Sequence, residues 1–149
     1  MRAVVTRVTS ASVEIEGKIH GSIGKGFLVL LGVSPTDTQK HAEWMADRIA
    51  GCRVFEDEQG KMNLSLSQVG GDILAVSQFT LYADLKSRRP GFTSAARPDI
   101  AEPLYEHFMK TLEDKGFTVE RGVFGADMKV ASLNDGPVTL IFDSENQKI

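Results

Sequence analysis

The sequence predicts a single α/β domain, residues 1–149, in which two main helices pack on a mixed, strongly curved, barrel-like β-sheet. Three observations predict this fold class. Short β-branched or apolar runs recur along the chain, two segments have an amphipathic helical pattern, and no linker, repeat or low-complexity tract interrupts them. The composition, with 42% hydrophobic and 25% charged residues, is typical of a globular domain with a buried core.

The first elements are predicted to be strands. The β-branched runs at residues 3–5 and 13–15 form a hairpin around the polar stretch 9–12. Residues 27–31 are a continuous apolar run, which is typical of a strand buried on both faces. Three glycines mark the turn before that strand: Gly21, Gly24 and Gly26.

A first helix is predicted after this strand. Thr36 and Gln39 fit a capping box at its start, and Gly51 lies where a C-terminal cap is expected. Apolar side chains recur at helical spacing, which predicts one buried face. That face comprises Ala42, Met45, Ala46 and Ile49.

The middle of the chain is predicted to return to the sheet. A strand region passes through Val54 and Phe55, a turn follows at residues 57–60, and a long strand covers residues 72–81. Alternation along that strand places Ser77 and Phe79 on one face, with Gln78 and Thr80 on the other.

A second helix and three further strands complete the prediction. Asp99 and Glu102 open the helix and Gly116 ends it. Its apolar stripe comprises Ala101, Tyr105, Phe108 and Leu112. The remaining strands are predicted at residues 117–119, 128–130 and 138–142.

Composition and motifs exclude several classes of protein. A net charge of −3 with a pI near 5.6 argues against a general positive field for coating nucleic acid, so any RNA contact must be local. The apolar runs are far shorter than the roughly 20 residues that span a bilayer, and no secretory leader is recognised, so we expect a cytoplasmic protein without a membrane role. The single Cys52 cannot form an internal disulfide.

The common catalytic motifs are missing. The chain has neither a GxSxG nucleophile elbow nor a phosphate-binding GxxxxGK loop. His20, His41 and His107 are far apart, and none has a second ligand at metal-binding spacing, so we expect them to be structural. The sequence therefore predicts no metal site.

Three polar segments stand out. In Ser77–Leu81, polar residues interrupt an apolar strand, which indicates either a site or a strand end that meets solvent. Lys86–Phe92, continued by Arg97, combines cations with an aromatic ring and is either a phosphate-gripping, base-stacking loop or a solvated one. Asn134–Thr139 has the composition of a tight turn leading into a strand.

These segments together resemble the D-aminoacyl-tRNA deacylase family, and the resemblance covers essentially the whole chain. Its motifs are SQFTL at residues 77–81, the loop with RRPGF within residues 86–97, and NxGPVT at residues 134–139. The start of the chain, Met1–Val8 followed by Ala11–Val13, also fits. Thr6 departs from the family, which often has Gln before the arginine.

The resemblance implies a homodimer with shared active sites. In the family, a Gly-Pro step in cis, here Gly136-Pro137, enters the partner's active site and acts as a filter for substrate chirality. It faces the catalytic segment of the other subunit, which comprises Ser77, Gln78, Phe79 and Thr80. The resemblance further implies that Arg7 braces the Gly-Pro carbonyls, and that neither a metal nor a cofactor takes part.

The implied substrate is tRNA carrying a D-amino acid. The 3′-terminal adenosine would lie beside the SQFTL segment, while a basic set steers the acceptor stem. That set comprises Lys86, Arg88, Arg89 and Arg97.

For catalysis, the resemblance favours assistance by the substrate's own 2′-hydroxyl over attack by Thr80, because the sequence offers no evident base beside that hydroxyl. L-Aminoacyl-tRNA would be rejected, and glycine mischarged onto tRNA(Ala) would be hydrolysed.

Two alternatives remain from the sequence. One is a related deacylase that removes an L-amino acid from the wrong tRNA, with a trans Gly-Pro peptide. The other is a non-catalytic RNA-binding module that uses the basic loop.

Overall fold

A computed structural model describes residues 1–149. In chain order, the elements are β1 (Arg2–Ile15), β2 (Lys18–Ile23), β3 (Gly26–Gly32), α1 (Gln39–Ala50), β4 (Phe55–Glu56), β5 (Met62–Leu64), β6 (Asp72–Ser77), a 3-10 turn (Phe79–Tyr82), α2 (Pro98–Asp114), β7 (Val119–Arg121) and β8 (Lys129–Asp143).

The main sheet has six strands and is mixed. Its order is β2-β1-β3-β6-β7, and β8 pairs with β1 on the other side. The β1 pairs are antiparallel, whereas β3–β6 and β6–β7 are parallel. The two ends of this order meet, because a Cβ at Gly21 of β2 would lie only 2.9 Å from the carbonyl oxygen of Arg121 in β7. The predicted barrel-like curvature is therefore confirmed.

The core lies on both faces of β3. Phe27, Val29 and Leu31 join the large apolar cluster that the two helices cover, while Leu28 joins a second cluster with β1 and β6 residues. This confirms the predicted two-sided burial of residues 27–31. The predicted helix faces are also buried: Ala42, Met45, Ala46 and Ile49 in α1, and Ala101, Tyr105, Phe108 and Leu112 in α2.

The predicted N-terminal hairpin is wrong. Residues 2–15 form one continuous strand, because β1 changes partners along its length rather than turning back. Its first half pairs with β3 and its second half with β2, while β8 follows it on the other edge. The hairpin turn lies instead at Glu16-Gly17, between β1 and β2.

Helix starts also differ from the prediction. The N-cap of α1 is Thr38, whose backbone N–H donates to Nδ1 of His41 at 3.0 Å, so Thr36 and Gln39 do not form the capping box. Gly51 does follow the last turn, as predicted. Helix α2 begins at Pro98, where proline needs no N–H partner, and ends before Gly116.

Two strand assignments were wrong near the ends of the sheet. The strand predicted at residues 72–81 ends at Ser77, and the following residues turn into the 3-10 segment, so strict alternation does not apply beyond it. The two strands predicted at 128–130 and 138–142 are one strand, β8, held along β1. No helix in the chain has the length and apolar character needed to cross a membrane.

Candidate active site

A cavity of about 620 Å³ lies where β6 ends and α2 begins. The segment 124–128 after β7 forms its opposite wall. Most of the lining is apolar, and Arg97 and Asp127 are its charged residues. Of the predicted catalytic segment, Ser77, Gln78 and Phe79 line the cavity, whereas Thr80 does not.

Backbone pairing fixes the segment that enters the cavity. Ser77 ends β6 in register with Leu31 of β3, and the Gln78 N–H donates to the Leu31 carbonyl oxygen at 2.8 Å. The chain then leaves the sheet as a 3-10 turn. The polar residues in SQFTL therefore mark the point where a buried strand opens into a cavity.

Thr80 has an amide neighbour rather than a base. The Gln78 side chain donates from Nε2 to the Thr80 hydroxyl oxygen at 2.5 Å. An amide nitrogen that donates this hydrogen bond cannot accept the hydroxyl proton. No histidine lines the cavity either. The arrangement leaves the Thr80 hydroxyl without a general base in contact.

Two aromatic rings border the cavity. The rings of Phe79 and Phe92 meet edge to face, with centroids 5.0 Å apart, and Phe79 is 54% exposed. Reciprocal backbone hydrogen bonds of 2.7 and 2.9 Å between Asp84 and Gly91 bring Phe92 to this position. The rings therefore offer exposed aromatic surface at the entrance.

The same pair of hydrogen bonds closes a basic hairpin between Asp84 and Gly91. Lys86, Arg88 and Arg89 are exposed on it, and none of them forms a salt bridge. Lys86 lines a neighbouring polar cleft, while Arg88 and Arg89 do not line the cavity. No acidic side chain of the chain neutralises these cations.

Arg97 completes the predicted basic set from a different position. It lies at the cavity itself, with an 88% exposed side chain 3.8 Å from the Asp99 carboxylate. The structure thus brings only Arg97 of the four predicted cations to the cavity wall.

Gly136 and Pro137 belong to a bulge in β8. Thr6 of β1 pairs with Thr139, and Val8 pairs with Asn134, so residues 135–138 loop out opposite Arg7. The Gly136-Pro137 peptide is cis, and both residues are exposed. Neither lines the cavity of its own chain.

Arg7 holds the base of this loop. Its side chain is 5% exposed, Nε donates to the Asp135 carbonyl oxygen at 3.0 Å, and Nη1 donates to that of Val54 at 2.6 Å. The resemblance predicted bonds to the Gly-Pro carbonyls, but the acceptor is one residue earlier. Nη2 also lies close to Gly136, since a Cβ there would be 2.7 Å away.

Arg2 anchors the far end of the 3-10 turn. Its Nη1 donates to the Leu81 carbonyl oxygen at 2.8 Å, and its Nε donates to the Asp143 carboxylate at 2.9 Å. Burial alone would raise the pKa of Asp143, but hydrogen bonds from the Glu145 N–H and from Arg2 outweigh it and hold that pKa below its ordinary value.

Sequence reasoning missed one wall of the cavity. The segment Phe124–Met128 carries no chemical motif, and its only signal is a glycine and an acidic residue between apolar ones. The chain gathers no cluster of three His, Cys, Asp or Glu side chains able to hold a metal ion.

Comparisons with known proteins identify the family. The sequence model of the D-Tyr-tRNA(Tyr) deacylase family matches residues 4–143. A D-aminoacyl-tRNA deacylase of Desulfatibacillum aliphaticivorans is 57% identical, over 97% of this chain and 100% of that protein. One of Koribacter versatilis is 55% identical, over 99% of each.

Two solved structures are similar to this one. A c-Myc DNA unwinding element binding protein is 45% identical with a TM-score of 0.91, over 97% of this chain and 99% of that one. A protein described as a probable eukaryotic D-amino acid tRNA deacylase is 18% identical with a TM-score of 0.80, over 95% and 97%, which shows the shared fold. From the family match and the identities to full-length relatives, this chain belongs to the D-Tyr-tRNA(Tyr) deacylase family.

Proposed function

We propose that this protein is an aminoacyl-tRNA editing hydrolase that cleaves the ester between a D-amino acid and tRNA in the cytoplasm. The observation that carries the proposal is the cavity at the end of β6, bordered by Ser77, Gln78 and Phe79, in a chain of this family. Relatives that match nearly the whole chain at 54–57% identity are D-aminoacyl-tRNA deacylases.

The 3′-terminal adenosine of tRNA occupies the cavity in this proposal. A mostly apolar lining suits a base and ribose, and Phe79 with Phe92 offers aromatic surface for the base. The hairpin that carries Lys86, Arg88 and Arg89 meets the phosphates of the acceptor stem. Unpaired cations on an acidic protein support such a local contact.

Catalysis relies on the substrate's own ribose. Its 2′-hydroxyl helps to activate the attacking water, and the backbone N–H groups of Phe79 and Thr80 stabilise the oxyanion, because that of Gln78 is bound to the Leu31 carbonyl. The Thr80 hydroxyl is a poor candidate nucleophile because its contact is the donating amide of Gln78.

Selectivity comes from the loop of Gly136 and Pro137, which rejects L-side chains by collision with its backbone. A D-side chain points away from the loop, and glycine has no side chain to reject. Glycine mischarged onto tRNA(Ala) is therefore a second substrate. The bonds of Arg7 to Asp135 and Val54 support a loop held firmly enough to act as a wedge.

The active site is completed by a second copy of the chain. The loop is exposed and does not line the cavity of its own chain, which supports a role on a substrate that is bound by a partner. β8 pairs only with β1, so its other edge is unpaired, and Leu133 and Ile141 of this strand are exposed; both features support association of two copies near this loop.

A nucleic-acid-binding function without hydrolysis is the second candidate. The unpaired cations of the basic hairpin favour it, as does the 45% identical protein described as binding a DNA unwinding element. A deacylase specific for an L-amino acid on the wrong tRNA is a third, but the trans Gly-Pro peptide expected for it is not found, because the Gly136-Pro137 peptide is cis.

Hydrolysis of D-tyrosyl-tRNA, L-tyrosyl-tRNA and a tRNA mischarged with an L-amino acid by the purified protein distinguishes these candidates. We expect rapid loss of the D-ester and survival of the L-ester. L-selective hydrolysis of a mischarged tRNA would support the third candidate, and binding without hydrolysis would support the second.

Subunit complementation tests the shared site. A protein with Gly136→Ala is mixed with one carrying Phe79→Ala, under conditions where subunit exchange is demonstrated by native mass spectrometry. Each heterodimer should then contain one intact composite site, so activity should return. Exchange without recovery would show that each chain builds its site alone.

A further inference from the structure

The neck of the Gly136-Pro137 loop contains a side-chain clamp. Asn134 and Thr139 are the β8 residues on either side of residues 135–138, where pairing with β1 stops and resumes. Nδ2 of Asn134 donates to the Thr139 hydroxyl oxygen at 3.0 Å. Oδ1 of Asn134 accepts the backbone N–H of Val138 at 3.0 Å. One amide therefore links the two sides of the neck, both of which belong to β8.

The chemistry of the two bonds fixes the orientation of the amide. A backbone N–H can only donate, so the atom of Asn134 that faces Val138 must be the oxygen. The nitrogen then points to Thr139, whose hydroxyl accepts. The clamp thus uses the carbonyl and the amino group of Asn134 at once, and an apolar residue of the same size would lose both bonds.

The clamp and Arg7 act on different parts of the loop. Arg7 bonds to the Asp135 carbonyl from inside the protein, at the first residue of the excursion. The amide of the exposed Asn134 accepts the Val138 N–H and donates to Thr139, at the other end. Gly136 and Pro137 lie between these two anchors, so the direction in which they project depends on both.

We propose that Asn134 and Thr139 are a positioning pair that sets the projection of Gly136 and Pro137, and thereby the discrimination between D- and L-aminoacyl esters. The inference rests on the proposed function, in which this loop rejects L-side chains. Neither residue lines the cavity, so the pair acts through the loop rather than on the reacting atoms.

The test compares four variants of the clamp with a control. Thr139→Val removes the bond from Asn134 to Thr139, and Asn134→Leu removes both bonds of the clamp, each at nearly constant volume. Thr139→Ser and Asn134→Asp keep them, because a serine hydroxyl still accepts, and an aspartate accepts from both the Val138 N–H and the Thr139 O–H. Thr118→Val is the control, since Thr118 is an exposed threonine whose side chain has no hydrogen bond in the structure.

The first readout is the ratio of hydrolysis rates for D-alanyl-tRNA and L-alanyl-tRNA. We expect Thr139→Val, which loses one hydrogen bond, to lower this ratio by about three- to tenfold. Asn134→Leu, which loses both hydrogen bonds, should lower the ratio at least as far. Thr139→Ser, Asn134→Asp and Thr118→Val should stay within about twofold of the unaltered protein. A ratio unchanged in Thr139→Val or Asn134→Leu, even with a lower melting temperature, would overturn the proposal.

The second readout does not depend on activity. Hydrogen exchange of the Val138 amide, followed by NMR, should accelerate in Asn134→Leu and remain slow in Asn134→Asp and Thr118→Val. Unchanged exchange in Asn134→Leu would contradict the clamp. If the unaltered protein failed to hydrolyse D-alanyl-tRNA, the proposed function would fall, while this exchange would still decide whether Asn134 holds the loop. If Asn134→Leu did not fold, Thr139→Val would decide through the selectivity ratio.

Discussion

The buried guanidinium of Arg7 donates from Nε to the carbonyl oxygen of Asp135 at 3.0 Å, directly before Gly136 in the loop that bulges from β8. The same side chain reaches the Val54 carbonyl after α1. One residue of β1 therefore connects the loop with the segment that follows the first helix.

Replacing Arg7 by Met should lower both the stability of the fold and the selectivity between D- and L-aminoacyl esters. The buried Val54 carbonyl would lose its donor, at a cost of about 1–3 kcal/mol in the free energy of unfolding. Urea denaturation measures this loss, and the D/L selectivity ratio should fall with it. Arg48→Met, at an exposed arginine on α1 whose guanidinium lies over the Trp44 ring, is the control. It should leave the selectivity ratio unchanged and cost no more than about 1 kcal/mol in the free energy of unfolding. Full stability and selectivity in Arg7→Met would show that Arg7 neither stabilises the fold nor holds the loop.

Replacing Gly136 by Ala should slow deacylation strongly. Gly136 has φ +124°, and an added Cβ would lie 2.7 Å from Arg7 Nη2 and 3.0 Å from Val138 Cγ2. The loop must move, and we expect the rate with D-alanyl-tRNA to fall by about tenfold or more, equivalent to about 1.4 kcal/mol. Gly60→Ala is a matched control, because Gly60 has φ +74° but open space around it. Normal activity in Gly136→Ala would contradict a rigid loop.

Replacing Thr80 by Ala should leave substantial deacylation, whereas a substrate ending in 2′-deoxyadenosine, with the amino acid on the 3′ oxygen, should react very poorly. The Thr80 hydroxyl contacts the donating amide of Gln78 and has no base to activate it. Single-turnover rates measure both effects. The opposite pattern, a folded but inactive Thr80→Ala protein and a reactive deoxy substrate, would support attack by threonine.

The ion pair between Arg2 and Asp143 should make stability depend on acidity. Because folding lowers the pKa of Asp143, its stabilising effect is fully present above the unfolded value, about 3.9, and is lost as the pH falls through the folded value. Urea denaturation between pH 7 and pH 2 should therefore show a loss of stability at the acidic end that Asp143→Asn reduces. An unchanged pH profile in that variant would assign the loss to other carboxylates.

Much of the fold could be predicted because its signals are local. The apolar run at residues 27–31 and the helical face of α1 are buried as predicted, since periodicity reports which side chains face the core. The hairpin predicted around residues 9–12 failed because Thr9 and Ser10, which resemble turn residues, lie in a strand whose partners come from distant parts of the chain. The assignment of residues 1–149 to one domain stays a prediction.

The candidate site was predictable only where its residues form a motif. Ser77, Gln78 and Phe79 reach the cavity, but Phe124–Met128 approach it through tertiary packing that no local pattern encodes. The clamp of Asn134 and Thr139 could not be predicted from the sequence, because it depends on the bulge of β8 opposite Arg7. The roles assigned to Gly136, Pro137 and the basic hairpin stay predictions, as do the homodimer and the cytoplasmic location.

Three substrates at equal concentration show whether selectivity works by rejecting L-side chains: D-alanyl-, glycyl- and L-alanyl-tRNA. A site that bound D-side chains through favourable packing would lose that packing with glycine and act on it poorly. A loop backbone that rejects L-side chains by collision would not exclude glycine, because glycine has no side chain. We therefore expect the D-alanyl and glycyl esters to be hydrolysed while the L-alanyl ester survives, and glycyl-tRNA as inert as L-alanyl-tRNA would contradict the account.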